Sequence, residues 1–354
     1  MKPFDFIVIG GGIAGLLASY FLREFNTLLI DENGILTSGA SAAAGAFLFP
    51  KVGFDTKYTR FINNAILEAF EFYKSLNIPT YKEGVTILPR DERDIEKFKK
   101  YEKDIKLPFK KRFGGFFFKD GGVVNPQEVK EKIKVDYEVL KVEKIFQDNG
   151  FWVVNEHFIT KNIILTTGHK SLIDIPYINI RAIWGERIEG EASLSLPCHF
   201  HKNCSLSKIG NIVKIGATHK RNCLECKENE EEVKELLKKA NEIMEIKDFK
   251  LSKILGGFRA ASVDYFPVVG NVIDVNETLK TNPKVVKGEV PKTFSYVKGL
   301  YIINGMGGRG FSNALVCARA LKEYILNNKD LGVIDTKRLF IKWARKEGEK
   351  YLLV

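Results

Sequence analysis

Residues 4–31 constrain the fold more than any other stretch of this chain. Phe4-Asp5-Phe6-Ile7-Val8-Ile9 reads as a short apolar strand. Gly10-Gly11-Gly12-Ile13-Ala14-Gly15 follows, then a helical stretch over residues 16–25 and a second strand over 27–30 that closes at Asp31-Glu32. This is a βαβ opening. In such a unit Gly10 permits a tight turn, Gly12 lets the backbone approach a pyrophosphate, and Gly15 lets helix and strand pack closely. The helix start at Ile13 and Ala14 offers free N–H groups and the positive end of its dipole to phosphate. Asp31, with Glu32 beside it, lies where a carboxylate accepts hydrogen bonds from ribose hydroxyls. The competing reading is a glycine-rich turn with no ligand. The strand before it, the helix after it and the acid beyond argue for a dinucleotide.

The fingerprint alone does not choose NAD over FAD. A second glycine loop near the C-terminus favours FAD: Gly307-Gly308-Arg309-Gly310-Phe311 precedes a helix that begins near Ser312. Backbone N–H groups there would face a flavin pyrimidine edge, where negative charge appears on reduction. The alternative is an ordinary strand-to-helix turn.

Between these ends the pattern alternates. Residues 58–76 carry apolar side chains at helical spacing, 81–89 read as a strand and 91–104 as a charged helix. Asn125-Pro126 opens another helix. Residues 137–146, 151–154 and 163–166 read as strands, the last running to Gly168, placed beside the cofactor with His169 next to it. From 172 to 291 short strands predominate around one helix at 228–244. A strand at 299–303 precedes the late glycine loop, and 336–350 reads as a basic helix. No repeat or Pro/Ser-rich linker separates two lobes, so the second is expected as an insertion into the first.

Composition excludes other classes. The hydrophobic fraction is 45% and the charged fraction 28%, ordinary for a globular chain. The apolar runs are far short of a membrane span, and residues 1–9 hold no signal core, so a cytoplasmic protein is expected. Five cysteines make no disulfide framework. The formal net charge of +11 permits a polyanionic partner, although lysine-rich solvated faces explain it equally.

Five segments carry a resemblance to the D-amino-acid oxidase/glycine oxidase family of FAD enzymes, and within it to the oxidases that act in tRNA 5-methylaminomethyl-2-thiouridine biosynthesis. Ser38-Gly39-Ala40-Ser41 with Gly45-Ala46-Phe47-Leu48-Phe49-Pro50 resembles the flavin-side loop. Gly121-Gly122-Val123-Val124-Asn125-Pro126, Gly216-Ala217-Thr218 and Gly305 through Gly310 also match. So does Gly257-Phe258-Arg259-Ala260-Ala261-Ser262, followed by Asp264, Pro267 and Gly270. Three departures stand out. No methyltransferase half precedes the fingerprint, so a stand-alone oxidase is expected. Ala42-Ala43-Ala44 replaces polar residues, and Trp184 stands where an arginine is expected.

The resemblance implies a two-lobed α/β fold: a Rossmann-like FAD-binding domain (1–78, 119–170 and 296–354) with an inserted, mainly antiparallel β substrate domain (79–118 and 171–295). It implies FAD as cofactor and tRNA as partner, with a separate methyltransferase as a further one. The implied reaction oxidises the carboxymethylaminomethyl group of a wobble uridine to aminomethyl and releases glyoxylate. Arg259 and Arg309 match the positions of carboxylate-binding arginines, and a guanidinium supplies the fork such a group needs. The expected cofactor set is Gly10, Gly12, Ile13, Ala14, Gly15, Asp31, Glu32, Ser38, Ala40, Ser41, Gly45, Gly168, Gly307, Gly308, Arg309, Gly310 and Phe311. Two other readings compete: an FAD oxidase or dehydrogenase of free glycine, sarcosine or D-amino acids, and a flavin-stabilised tRNA-binding partner without turnover.

Two basic runs would suit RNA: Lys97, Lys99, Lys100, Lys103, Lys106, Lys110, Lys111 and Arg112, and then Lys337, Arg338, Lys342, Arg345 and Lys346. Cys198, His199, His201, Cys204, His219, Cys223 and Cys226 cluster in sequence, and Cys223-Leu224-Glu225-Cys226 has C-x-x-C spacing. A structural zinc would need four converging ligands. Unligated thiols are expected instead, with no metal.

Overall fold

The strand Phe4–Ile9 lies at the middle of a sheet because both of its faces are covered. In the computed structural model, which describes residues 3–223 and 225–352, this sheet has eight strands. Its path runs Val268–Ile273, Tyr296–Asn304, Phe158–Leu165, Phe4–Ile9, Thr27–Asp31, Tyr137–Val139. The last five are mutually parallel. Val268–Ile273 joins antiparallel at one edge, and the hairpin of Ile145–Asp148 and Phe151–Val154 extends Phe158–Leu165.

Alternation along the central strand feeds two cores. Phe6 and Val8 pack with the helices Ile13–Phe21, Lys57–Ser75 and Gly310–Asn327. Ile7 and Ile9 pack with Leu339, Phe340 and Ala344 of the helix Lys337–Glu347.

The second sheet has nine strands, all but one of its pairings antiparallel. Its spine is Ile180–Glu191 paired with Lys250–Ser262 along nearly their whole length. The far end of Lys250–Ser262 reaches the first lobe: Ala261 bridges Met306, and Gly307 N–H donates to Ala260 O at 2.8 Å. This strand carries Arg259 into contact with the late glycine loop. Among the described residues no helix is long and apolar enough to cross a membrane.

The structure corrects the sequence reading in several places. The expected strand at 137–146 is two strands, because Tyr137–Val139 pairs with Thr27–Asp31 whereas Ile145–Asp148 pairs with Phe151–Val154. The strand expected at 81–89 contracts to Val85–Ile87, since Tyr81 and Gly84 both adopt positive φ. Between 172 and 291 most strands are short as expected, but two long ones, Ile180–Glu191 and Lys250–Ser262, form the spine of the sheet. Val268–Ile273, expected in the inserted lobe, pairs with Tyr296–Asn304 of the first sheet.

Candidate active site

One elongated cavity of about 680 Å³ runs between the two sheets. Every expected cofactor residue except Gly15 lines it. Gly15 sits behind it: a Cβ there would collide with the Gly10 carbonyl and stand 2.7 Å from Thr166 Oγ1. The structure gives it close packing of helix on strand.

At one end lie the fingerprint and the end of the second strand. Gly11 N–H donates to Asp31 Oδ2 at 2.7 Å, and Asn33 N–H to Oδ1 at 2.8 Å. A carboxylate has about four lone-pair sites, so Asp31 keeps capacity for hydroxyl donors. Glu32 pairs with Lys170, whose hydrogen bond holds the carboxyl below its usual range. Ile13 N–H donates to Ser41 Oγ at 3.0 Å, and a Cβ on Gly12 would stand 3.3 Å from that oxygen. The short helix Gly39–Ala42 carries Ala40 and Ser41 to this point because Gly257 leaves no side chain in its way. Gly168 adopts φ +64° and its carbonyl accepts from Asn304 Nδ2 at 2.8 Å.

At the other end the chain turns through Gly305 and Gly307, both at positive φ, into the helix Gly310–Asn327. The helix N-terminus opens on the cavity through Gly310 and Phe311. Two arginines stand here. Arg259 Nη1 donates to Thr218 O at 3.1 Å, with its guanidinium pressed on Gly185. Arg309 Nη1 donates to Phe49 O at 2.7 Å, with its guanidinium 4.5 Å from the Phe49 ring centroid. Both are half-buried, and desolvation lowers both pKa values, that of Arg309 to about 10 against an opposing effect of Tyr58. Among the described residues neither has a carboxylate partner. Guanidinium groups partly withdrawn from water without counter-ions are costly, so this end of the cavity suits an anion.

The surrounding groups are aromatic and cationic. His201 stacks on Phe49 at 4.5 Å and bonds Ser205 Oγ through Nδ1 at 2.9 Å. Burial, then Arg309, Arg90 and Lys51, push its pKa down to about 4. His169 and Trp184 both pack against Phe258 at 4.9 Å, and Trp184 Nε1 donates to Glu186 Oε1 at 2.9 Å. Where an arginine was expected, Trp184 therefore packs behind the cavity lining and supplies no charge. Among the lining residues that sequence reasoning missed are Arg187, Tyr58 and Tyr265. Arg187 donates from Nε to Ala43 O at 3.0 Å and pairs with Glu189. Its polar position in an otherwise buried strand was the available signal.

The chain matches the DAO family, FAD dependent oxidoreductase, over residues 5–324. It belongs to that family. It is an FAD-dependent oxidoreductase, and the residues present fit FAD: a glycine cradle too tight for side chains at Gly10 and Gly11, an acid at one end and a helix N-terminus at the other. Among curated relatives it is 24% identical to the tRNA 5-methylaminomethyl-2-thiouridine biosynthesis bifunctional protein MnmC of Legionella pneumophila (strain Corby), over 94% of this chain and 55% of that protein. It is also 24% identical to the protein of the same name in Campylobacter fetus, over 91% of this chain and 56% of that one. The chain thus spans about half the length of the curated relatives it matches. Its fold superposes on glycine oxidase from Geobacillus kaustophilus with a TM-score of 0.74 at 16% identity, covering 95% of this chain and 99% of that one. For glycine oxidase from Bacillus cereus the TM-score is 0.76 at 16% identity, with 94% and 97% covered.

The cysteines and the basic runs divide on folding. Cys198 and Cys204 are buried in the core of the second lobe, but Cys223 and Cys226 are joined in a disulfide instead of standing as free thiols. His199 bonds the Tyr81 carbonyl at 2.9 Å. In the first basic run Lys97, Lys99 and Lys111 pair with Asp94, Glu96 and Glu102. In the second, Arg338 pairs with Asp264, Lys337 with Asp335, and Arg345 donates to Gly288 O. Arg338 is thus a structural clamp and not part of a free basic face.

Proposed function

We propose that this chain oxidises the CH–NH bond of a carboxymethylamino group, on the wobble uridine of tRNA, leaving an aminomethyl group and releasing glyoxylate. The observation that carries the reading is the pair of half-buried guanidinium groups, Arg259 and Arg309, which have no acid partner among the described residues, at the end of the cavity where the late glycine loop opens. The names of the curated relatives supply the tRNA context.

FAD, when bound, accepts a hydride equivalent from the carbon next to the substrate nitrogen. The chain's own residues prepare that step. Arg259 offers its fork to the substrate carboxylate and so fixes which carbon faces the cofactor. Arg309 adds a second positive charge to the same wall and discriminates against amines lacking an acid group. The N–H groups at the start of Gly310–Asn327 face the region where negative charge develops. Loss of hydride from the carboxymethyl carbon leaves a C=N bond. Water adds to it, the C–N bond breaks, and amine and glyoxylate separate. The lone basic side chains Lys100, Lys103 and Lys110, which make no ion pair among the described residues, suit phosphate contact. In this reading the protein works in the cytoplasm, and a separate methyltransferase takes up the aminomethyl product.

Free glycine, sarcosine or a D-amino acid would use the same two arginines, and a binding partner without turnover would leave the flavin oxidised. One assay separates them. The yellow holoenzyme is incubated with tRNA from cells unable to remove the carboxymethyl group, and digested nucleosides are read by mass spectrometry. Conversion of carboxymethylaminomethyl-uridine to aminomethyl-uridine is expected. No conversion, together with flavin bleaching by sarcosine or glycine, would replace this reading with the small-substrate one.

A further inference from the structure

The turn at residues 262–266 holds a tyrosine where the backbone favours glycine. Tyr265 has φ +68°, a conformation that bulky L side chains rarely adopt. The fold gives the ring little in return, since it is 58% exposed and its centroid stands 6.3 Å from that of Tyr58. The turn cannot relax. Asp264 is held by Arg338 and by Ser262, and the Phe266 carbonyl accepts from Ser262 Oγ at 2.6 Å and from Arg338 Nη2 at 2.9 Å. Strain that the surroundings enforce, at a residue lining a binding cavity, points to a function for that side chain.

The place of the ring indicates which function. Tyr265 and Tyr58 both line the cavity, and Tyr58 is buttressed edge-on by Phe266 at 5.2 Å. Lys51 Nζ lies 5.5 Å from the Tyr58 centroid and makes no ion pair among the described residues. Arg309 lines the same wall. A flat, half-exposed aromatic beside unpaired cations matches the chemistry of a base joined to a phosphate. A free amino acid has no planar ring to place there.

We propose that Tyr265 is a stacking platform for the nucleobase that carries the substrate amine, and so selects a polynucleotide substrate over a free amino acid. This rests on the tRNA reading of the site. Two variants of the holoenzyme separate ring from backbone: Tyr265→Phe keeps the aromatic face, and Tyr265→Gly removes it while relieving the positive φ. The probes are two anticodon stem-loop RNA hairpins, one with unmodified uridine at the wobble position and one abasic there. Wild type and Tyr265→Phe are expected to bind the uridine hairpin about tenfold more tightly than the abasic one. Tyr265→Gly is expected to bind both alike, with an unchanged flavin spectrum and a melting temperature no lower than wild type. Equal binding of the two hairpins by wild type, or a preference that survives in Tyr265→Gly, would overturn the proposal. The nucleoside assay tests the reaction independently. Conversion of whole tRNA without any base preference in the hairpins removes the stacking role and leaves the reaction standing.

Discussion

Arg338 closes on both oxygens of Asp264, with Nε 2.8 Å from Oδ2 and Nη2 3.1 Å from Oδ1. This pair ties the helix Lys337–Glu347 to the turn that follows the strand Lys250–Ser262, and so braces the strand end that carries Arg259. Both side chains keep some solvent exposure, 20% and 28%, which reduces the worth of the pair below that of a fully buried one. Arg338→Ala is expected to lower stability by about 1–3 kcal/mol, since it removes a two-bond ion pair and leaves the Phe266 carbonyl short of a donor. Urea unfolding of the holoenzyme measures it. A double-mutant cycle with Asp264→Asn should give a coupling energy of the same sign, and no coupling would show that the two residues act separately.

Two fingerprint glycines should fail in different ways. A Cβ on Gly15 meets the Gly10 carbonyl, a backbone atom that cannot swing aside. Gly15→Ala is expected to cost about 1–3 kcal/mol of fold stability. A Cβ on Gly12 meets only the rotatable Ser41 hydroxyl at 3.3 Å. Gly12→Ala should keep the fold within about 1 kcal/mol and lose flavin instead, because the pyrophosphate must approach that backbone. Melting of the apoprotein and flavin retained after dialysis report the two effects separately.

Arg259 is the expected carboxylate ligand. Arg259→Ala should lower kcat/KM on an N-carboxymethyl substrate by about two to three orders of magnitude, with the flavin absorbance spectrum unchanged. Arg259→Lys should rescue little, because an ammonium cannot present two parallel donors. A loss smaller than about fivefold would pass the role to Arg309.

The half-buried His201 should make the protein sensitive to mild acid. Its folded pKa of about 4 lies below the ordinary value of 6.5. Between these values the unfolded chain binds a proton that the folded ring refuses, so protonation favours unfolding. The contribution is complete above about pH 6.5 and is lost as pH falls toward 4, a change of up to about 3 kcal/mol. Burial shifts His169, His199 and His219 in the same direction. Melting temperature measured from pH 7 to pH 4.5 should fall, and His201→Gln should flatten the slope. An unchanged slope in the variant would place the acid sensitivity elsewhere.

Much of the nucleotide end of the cavity was legible from residue order. The strand, the turn at Gly10, the helix from Ile13 and the acid at Asp31 are close neighbours along the chain, so local propensity and loop length settle their geometry. The late loop was legible for the same reason: Gly305, Gly307 and the helix Gly310–Asn327 follow one another. Less was legible where partners are distant. The split of residues 137–148 depends on which strand each half meets. The charge on Arg338 looked like surface until Asp264, 74 residues away, neutralised it.

The sequence by itself therefore determined a dinucleotide-binding βαβ unit, a closing glycine loop and the residue types available for an anion. Only the tertiary structure decided that Arg259 and Arg309 meet in one cavity with no acid partner among the described residues, that Gly15 packs helix on strand behind it, and that Tyr265 is held strained beside Tyr58. The reason is the pairing of Ile180–Glu191 with Lys250–Ser262, which carries the second lobe's chemistry back to the first sheet. That register is set by burial and by hydrogen bonding between segments distant in the chain, and no local pattern encodes it.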